Sequence, residues 1–230
     1  MTAKAIGACM GAMIVLGGGA QAADTKPAYP AMAPLAQYMI ANPADEIAMA
    51  RSAAPPSISD AADVMVLGPH GYEIAVKGTN GFVCLVERSW ESAFDDAEFW
   101  NFHERGPICF NPAAARTVVP AHLERTDWVL AGLSREDMLT RAKTSALANT
   151  TPAPGAMCFM LSKLGYLSDS GGHWHPHLMF YFPNAQGTDW GAGRPGSPVI
   201  GGPGNPEPVT TYMVTVTKWS DGTSAMEMPH

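Results

Sequence analysis

The chain has 230 residues, of which 47% are hydrophobic, and its formal net charge is −7. This composition is typical of a globular protein that can bury a sizeable core. The 14 basic residues are scattered along the chain, which argues against a basic nucleic-acid-binding surface. Beyond the N-terminus, no segment reaches the roughly 20 apolar residues of a membrane-spanning helix. We therefore expect neither a nucleic-acid partner nor a membrane span.

The first 22 residues have the three parts of a secretory signal peptide. Lys4 supplies a positive charge, and residues 6–16 form a short apolar run. Ala20-Gln21-Ala22 is the small-x-small pattern that signal peptidases accept. The sequence thus predicts cleavage before Ala23 and export to the periplasm or the exterior.

The mature chain is expected to begin with a flexible leader over residues 23–34, which are rich in Pro and Ala. The remainder, residues 35–230, is predicted to form one domain. Asn42-Pro43 indicates a helix start, because Asn caps free N–H groups and Pro fits the first turn. This helix is expected to end near Ser52, before two prolines.

Three strand-like runs follow, over residues 64–67, 72–77 and 82–87. Asn80-Gly81 lies between the second and third, and Asn-Gly is a common hairpin turn because both residues tolerate a positive φ. The sequence therefore predicts a three-stranded antiparallel meander.

The middle of the chain, roughly residues 92–148, is predicted to be helical. Residues 93–103 combine aromatic and acidic side chains, and a second Asn-Pro opens a helix over 113–119. Ser134 and Asp137 resemble a capping box and predict a helix that runs to about Ala148.

The last part of the chain is predicted to return to strands. Residues 157–161 and 178–182 are apolar runs, and residues 209–219 form a final strand. Residues 183–208 are dense in Gly and Pro and predict a long loop. The predicted fold is α+β, with an antiparallel sheet formed by the N-terminal meander and the C-terminal strands, and a helical middle segment.

Three cysteines remain after removal of the signal: Cys84, Cys109 and Cys158. Two of them are expected to pair in an oxidising compartment. Cys84–Cys109 closes a loop of moderate length and is the favoured pair, with Cys158 buried as a small apolar residue. Cys84–Cys158 is an alternative if their strands are neighbours.

Histidines at every second position precede one of the late strands: His173, His175 and His177. In extended backbone, alternate side chains share a face, so the three imidazoles could point into one site. Imidazole ligands suit Zn or Cu among other metals. The first hypothesis is therefore an exported metal-binding protein, with a metal-dependent enzyme as one form of it. Candidate additional ligands are His70, His103, Glu104, His122 and Asp169.

The second hypothesis is a non-catalytic envelope or extracellular binding module in which the histidines are structural. Segment 183–208, with Trp190, would then contact a small molecule, a glycan or an envelope partner. A thiol-based or serine-based hydrolase is less favoured, because Cys158 lies in an apolar strand and no Gly-x-Ser-x-Gly turn occurs.

Three short motifs resemble a group of exported bacterial proteins that has no established activity. They are Gly78-Thr79-Asn80-Gly81-Phe82-Val83-Cys84, Pro107-Ile108-Cys109 and Pro176-His177-Leu178-Met179. The resemblance covers about the central half of the chain. It implies a shared fold and the Cys84–Cys109 pairing, and it implies no function.

Overall fold

The computed structural model describes residues 29–145, 151–203 and 208–225, so the predicted signal peptide lies outside the described residues. Eight strands form one sheet in the order β2-β1-β3-β4-β5-β6-β8-β7. Every neighbouring pair is antiparallel except β1 and β3. The α+β prediction is confirmed, and β4 and β5 join the early strands to the late ones. The strands are β1 (Asp63–Gly68), β2 (Gly71–Val76), β3 (Val83–Glu87), β4 (Gly106–Phe110), β5 (Met157–Met160), β6 (His177–Pro183), β7 (Val199–Pro203) and β8 (Val209–Thr215).

Three helices begin where the sequence predicts a cap. The side chains of Asn42, Asn111 and Ser134 accept hydrogen bonds from backbone N–H groups of the first turns, at 3.1, 2.9 and 3.1 Å. The last of these helices ends at Ala142, before the predicted end. The helices are α1 (Pro43–Arg51), α2 (Pro56–Ser59), α3 (Pro112–Thr117), α4 (Val119–Leu130) and α5 (Arg135–Ala142).

The predicted meander is wrong in its third strand. β3 lies beside β1 and parallel to it, so Asn80-Gly81 does not join neighbouring strands. The Asn80 side chain instead accepts a hydrogen bond from Phe82 N at 3.0 Å and donates one to Ile58 O at 2.7 Å. The turn is therefore held against the segment that precedes β1.

A close backbone contact at Gly78 makes this crossover possible. Gly78 N donates to Asp63 Oδ1 at 2.6 Å, and Thr79 N donates to Ala61 O at 2.8 Å. A Cβ atom at Gly78 would lie 2.2 Å from the carbonyl carbon of Ala62. Only glycine allows the chain to cross the start of β1 this closely, which brings β3 to the other side of β1.

The helix predicted over residues 93–103 is also wrong, because this segment forms a series of turns. Asp96 Oδ1 accepts a hydrogen bond from Glu98 N at 2.7 Å, and Asn101 Oδ1 accepts one from His103 N at 2.9 Å. Such side-chain-to-backbone bonds compete with the helical hydrogen-bond ladder.

Strand β4 lies inside the region that was predicted to be helical. All five of its residues are buried, because β3 and β5 flank it and both faces of the sheet are covered there. A strand that is buried on both faces has no polar–apolar alternation by which sequence analysis can recognise it.

Segment 183–208, predicted as a long loop, contains a short 3-10 helix (Gly187–Trp190) and edge strand β7. Gly201 has a φ of 123°, and a Cβ atom there would lie 2.1 Å from the Thr211 carbonyl oxygen. Trp190 stacks on Tyr212 with ring centroids 5.0 Å apart. Part of the segment therefore packs on the sheet.

The two faces of the sheet pack against different helices. Cys84 and Val86 face α1, whereas Leu85 faces the side that α3 and α4 cover. Cys84 and Cys109 are directly opposite each other in the β3/β4 pair and form a disulfide. This confirms the favoured pairing, and Cys158 is buried and free as predicted.

Residues 29–34, the described part of the predicted leader, contact the domain. The Tyr29 hydroxyl donates a hydrogen bond to Asp169 Oδ2, and its ring meets the Phe102 ring edge-on at 5.7 Å. Tyr166 also donates to Asp169, at 2.9 Å from Oδ1. Asp169 thus anchors the N-terminal segment.

Candidate functional site

A cleft of about 810 Å³ opens on the α3/α4 side of the sheet. We call it the central cleft. Strand β6 supplies much of its floor because alternate residues share a face: His177, Met179 and Tyr181 all line it. Met160 of β5 and Met213 of β8 extend the floor, and methionines give an apolar surface that adapts to irregular shapes.

The walls come from segments that are far apart in the chain. Helix α4 provides Ala121, His122 and Arg125, and Trp174 provides a half-buried aromatic wall. The Trp174 indole fits there because Gly165 has no side chain: a Cβ atom at Gly165 would lie 2.5 Å from the ring.

Acidic side chains outnumber basic ones in the lining. The basic side chains are Arg125 and two histidines, His122 and His177. Five acidic side chains line the cleft. They lie at the end of β3 and in the turns between β3 and β4: Glu87, Glu91, Asp95, Asp96 and Glu104.

His122 forms a buried ion pair with Glu87, with Nε2 and Oε1 2.7 Å apart. Its Nδ1 lies 3.2 Å from the Val118 carbonyl oxygen and donates to it. Burial lowers the pKa of His122, but the negative charges of Glu91 and Glu87 outweigh this effect and raise it to about 9. The imidazole is therefore charged at neutral pH.

Glu104 is only 8% exposed and accepts one hydrogen bond, from Ser92 Oγ to Oε1 at 3.3 Å. Burial raises the pKa of Glu104, repulsion from Glu87 and Asp96 raises it further, and it reaches about 8. Glu104 is thus a neutral carboxylic acid at pH 7.

Arg125 organises the acidic rim of the cleft. Its Nη1 donates to the carbonyl oxygens of Trp90, Glu91 and Ser92 at 3.3, 3.1 and 3.0 Å. Its guanidinium also lies 4.4 Å from the centre of the Phe94 ring. These contacts fix the turns that carry Glu91 and Ser92, the hydrogen-bond donor to Glu104.

The three predicted metal ligands are held separately. His173 Nδ1 lies 2.7 Å from the Gly165 carbonyl oxygen, and His177 Nδ1 lies 2.8 Å from the His175 carbonyl oxygen. His173 and His175 are exposed, whereas His177 is buried and lines the cleft. Residues 29–145, 151–203 and 208–225 contain no group of three or more His, Cys, Asp or Glu side chains that could hold a metal.

The reason for this separation is the backbone conformation. Strand β6 begins at His177, and the residues before it lie outside the strand, with a bend at His173, so the two-residue period of the strand starts at His177. Burial lowers the pKa of His177, and its Nδ1 must donate to a carbonyl. The His177 ring is therefore neutral, with its proton on Nδ1 and a lone pair on Nε2.

The additional candidate ligands lie in different places. His70 is exposed in the turn after β1, and His103 packs against the Phe102 ring at 4.2 Å. Asp169 holds Tyr29 and Tyr166, as described above. Only Glu104 and His122 meet His177 in the central cleft.

Cys158 lies 3.2 Å from the Tyr181 hydroxyl and is fully buried. Burial raises the pKa of its thiol well above the usual range. A thiolate is the reactive form of cysteine, so the geometry does not favour a thiol nucleophile here.

Sequence analysis missed Glu87, Glu91, Asp95 and Asp96. Their one sequence signal is an acidic residue at the end of the apolar strand β3, followed by a further acidic segment. The turns and the β3/β4 pairing bring these side chains together with Glu104, and neither was predicted.

Comparison with protein-family models, curated proteins and solved structures finds no match to this chain. None of the helices in the described part of the chain is long and apolar enough to cross a membrane.

Proposed function

We propose that this chain is an exported, non-catalytic binding protein that takes a small organic molecule into the central cleft. The cleft itself carries the proposal. Its volume of about 810 Å³ lies in the range of small-molecule sites, roughly 300–1,000 Å³. Its lining combines an apolar floor with a few buried polar groups, as such sites usually do.

The disulfide supports the exported location. Cys84 and Cys109 are bonded, and structural disulfides form and persist mainly in oxidising compartments such as the periplasm or the exterior.

The histidines support a binding role more than a metal centre. His173 and His177 each bond a main-chain carbonyl and so fix the segment that carries Trp174. That segment forms one wall of the cleft, and Gly201 and Gly202 of β7 line it from another side. These two glycines bring part of segment 183–208 to the site, whereas Trp190, which the binding hypothesis placed there, does not line the cleft.

A cleft-filling variant tests this proposal. Gly202 has open space around it, with nothing within 4 Å of an added Cβ atom. We expect Gly202→Phe to fold normally and to place an aromatic ring in the cleft. Ligand-observed NMR with a fragment library should then find compounds that bind the wild type and not this variant.

Gly187→Phe is the matched control. An added Cβ atom at Gly187 would meet only ordinary contacts, at 3.6 and 3.8 Å, and Gly187 does not line the cleft. This variant should bind the same fragments as the wild type. If Gly202→Phe is folded and retains every fragment, the cleft is not the binding site.

A further inference from the structure

The charges of the central cleft indicate which class of ligand it accepts, an inference that rests on the proposed function. With Glu104 neutral, four acidic side chains remain in the lining and face only two positively charged ones, His122 and Arg125. Both basic groups are already engaged: His122 pairs with Glu87, and Arg125 Nη1 donates to three carbonyl groups. An anionic ligand would add to the excess negative charge, whereas a cation would reduce it.

Glu104 provides the point of contact. It is more than nine-tenths buried, it lines the cleft, and its carboxyl group accepts a single long hydrogen bond, from Ser92 Oγ at 3.3 Å. A buried carboxyl group with so little hydrogen bonding gains from a ligand that supplies a further partner.

The rest of the lining is mostly apolar and favours a ligand with an apolar organic part. Met179, Met213 and Tyr181 form the floor, and Trp174 forms a wall. The described residues contain no group of side chains that could hold a metal ion. The cleft therefore fits a cation with an apolar body better than it fits a bare metal cation.

We infer that the central cleft binds an organic amine whose ammonium group pairs with Glu104 while its apolar body lies on the methionine and aromatic floor. On binding, the carboxylic acid of Glu104 loses its proton to solvent, and the carboxylate and the ammonium group form the ion pair. The O–H bond of Glu104 is the only covalent bond that breaks.

Several charged groups surround Glu104 and contribute to this coupling. The acidic ones disfavour a negative charge on Glu104 in the free protein, and a bound ammonium group offsets their effect. His177 faces the cleft as a neutral ring. The charged groups are Glu87 on β3, Glu91, Asp95, Asp96 and Glu98 in the turns, Arg105 next in the chain, and His122 and Arg125 on α4.

Three probes that share one body test the inference: phenethylamine, 2-phenylethanol and phenylacetate. Isothermal titration calorimetry at pH 7 in phosphate and in HEPES, which differ in ionisation enthalpy, measures the protons released. We expect the amine to bind most tightly and to release nearly one proton per molecule bound, because Glu104 is mostly protonated beforehand.

Glu104→Gln is the matched variant, because it keeps the shape and the neutral state of the protonated acid. We expect it to weaken amine binding by about tenfold to a hundredfold, the usual value of a charge-assisted contact, and to abolish proton release. Binding of 2-phenylethanol should be unchanged.

The outcomes separate this inference from the proposed function. If the alcohol or the acid binds as tightly as the amine, or if the amine binds without releasing a proton, the amine assignment is overturned and the cleft remains a binding site. If none of the probes binds, the amine assignment also fails. The fragment comparison between Gly202→Phe and Gly187→Phe then decides on the cleft itself.

Discussion

The burial of Glu104 in the central cleft indicates that this side chain binds a ligand. Glu104 is 8% exposed, and its carboxyl group accepts one hydrogen bond, from Ser92. A fold without a ligand would gain stability from an apolar residue or an amide at this position. Glu104 instead lies in a cleft that already carries excess negative charge, as expected of a group that pairs with a ligand.

The pKa of Glu104 predicts how stability depends on pH. The pKa rises from the ordinary 4.5 in the unfolded chain to about 8 in the folded protein, so folding favours the protonated acid. The stability associated with this proton is fully present below about pH 4.5 and is lost as the pH rises through 8. Glu104→Gln removes the effect and should make the protein more stable than the wild type at pH 9, by about 2 to 4 kcal/mol.

Urea unfolding of both proteins at pH 5, 7 and 9 measures this difference. His122 contributes a loss of the same sign, since its pKa is raised from 6.5 to about 9, but both proteins share it. Glu73→Gln, on the exposed side of β2, should follow the wild type at every pH. An equal pH dependence in Glu104→Gln and the wild type would show that Glu104 is not protonated in the folded protein.

The histidine spacing shows what can be predicted at this scale. A period of two places side chains on one face only where the backbone is extended. Strand β6 begins at His177, and the residues that share its face are Met179 and Tyr181. The alternation of histidines is visible in the sequence, but the position at which strand β6 begins decides which side chains share a face.

Among the secondary-structure elements, the sequence predicted three helix starts correctly but not the pairing of the strands. Asn42, Asn111 and Ser134 cap helices as expected because the donor and the acceptor lie within three residues of each other. The parallel β1/β3 pair depends instead on contact between segments that are far apart in sequence. Buried β4 gave no alternating pattern, so it was missed.

At Gly78 the chain crosses the start of β1, and this crossing places β3 beside β1. A substitution at Gly78 should therefore affect stability strongly. We expect Gly78→Ala to destabilise the protein by about 2 kcal/mol or more, because its Cβ atom would lie 2.2 Å from rigid backbone. Chemical unfolding measures the loss. Gly187→Ala, where contacts are ordinary, should lie within about 0.5 to 1 kcal/mol of the wild type, as Gly-to-Ala changes at compatible sites do. A stable Gly78→Ala protein would mean that the chain does not cross β1 at this point.

At the scale of the whole molecule, the sheet order creates the central cleft. Strands β3, β4, β5, β6 and β8 lie side by side, which places Glu87 of β3 across the same face from Met213 of β8. Helix α4 covers only part of that face, and Trp174 borders the remainder. Neither the acidic rim nor the apolar floor is continuous in sequence, so the cleft could not have been predicted without the fold.

The central claim is that this cleft is the ligand site, and the indole N–H resonance of Trp174 tests it most directly. Trp174 lines the cleft, and its buried Nε1 has no hydrogen-bond partner among the described residues. The chain has six tryptophans, and Trp-to-Phe variants assign their indole signals in a ¹H–¹⁵N spectrum. On titration with phenethylamine, we predict that the Trp174 signal shifts while those of Trp190 and Trp219, which do not line the cleft, stay in place. An unmoved Trp174 signal at saturation, or a shift confined to Trp190, would contradict the account.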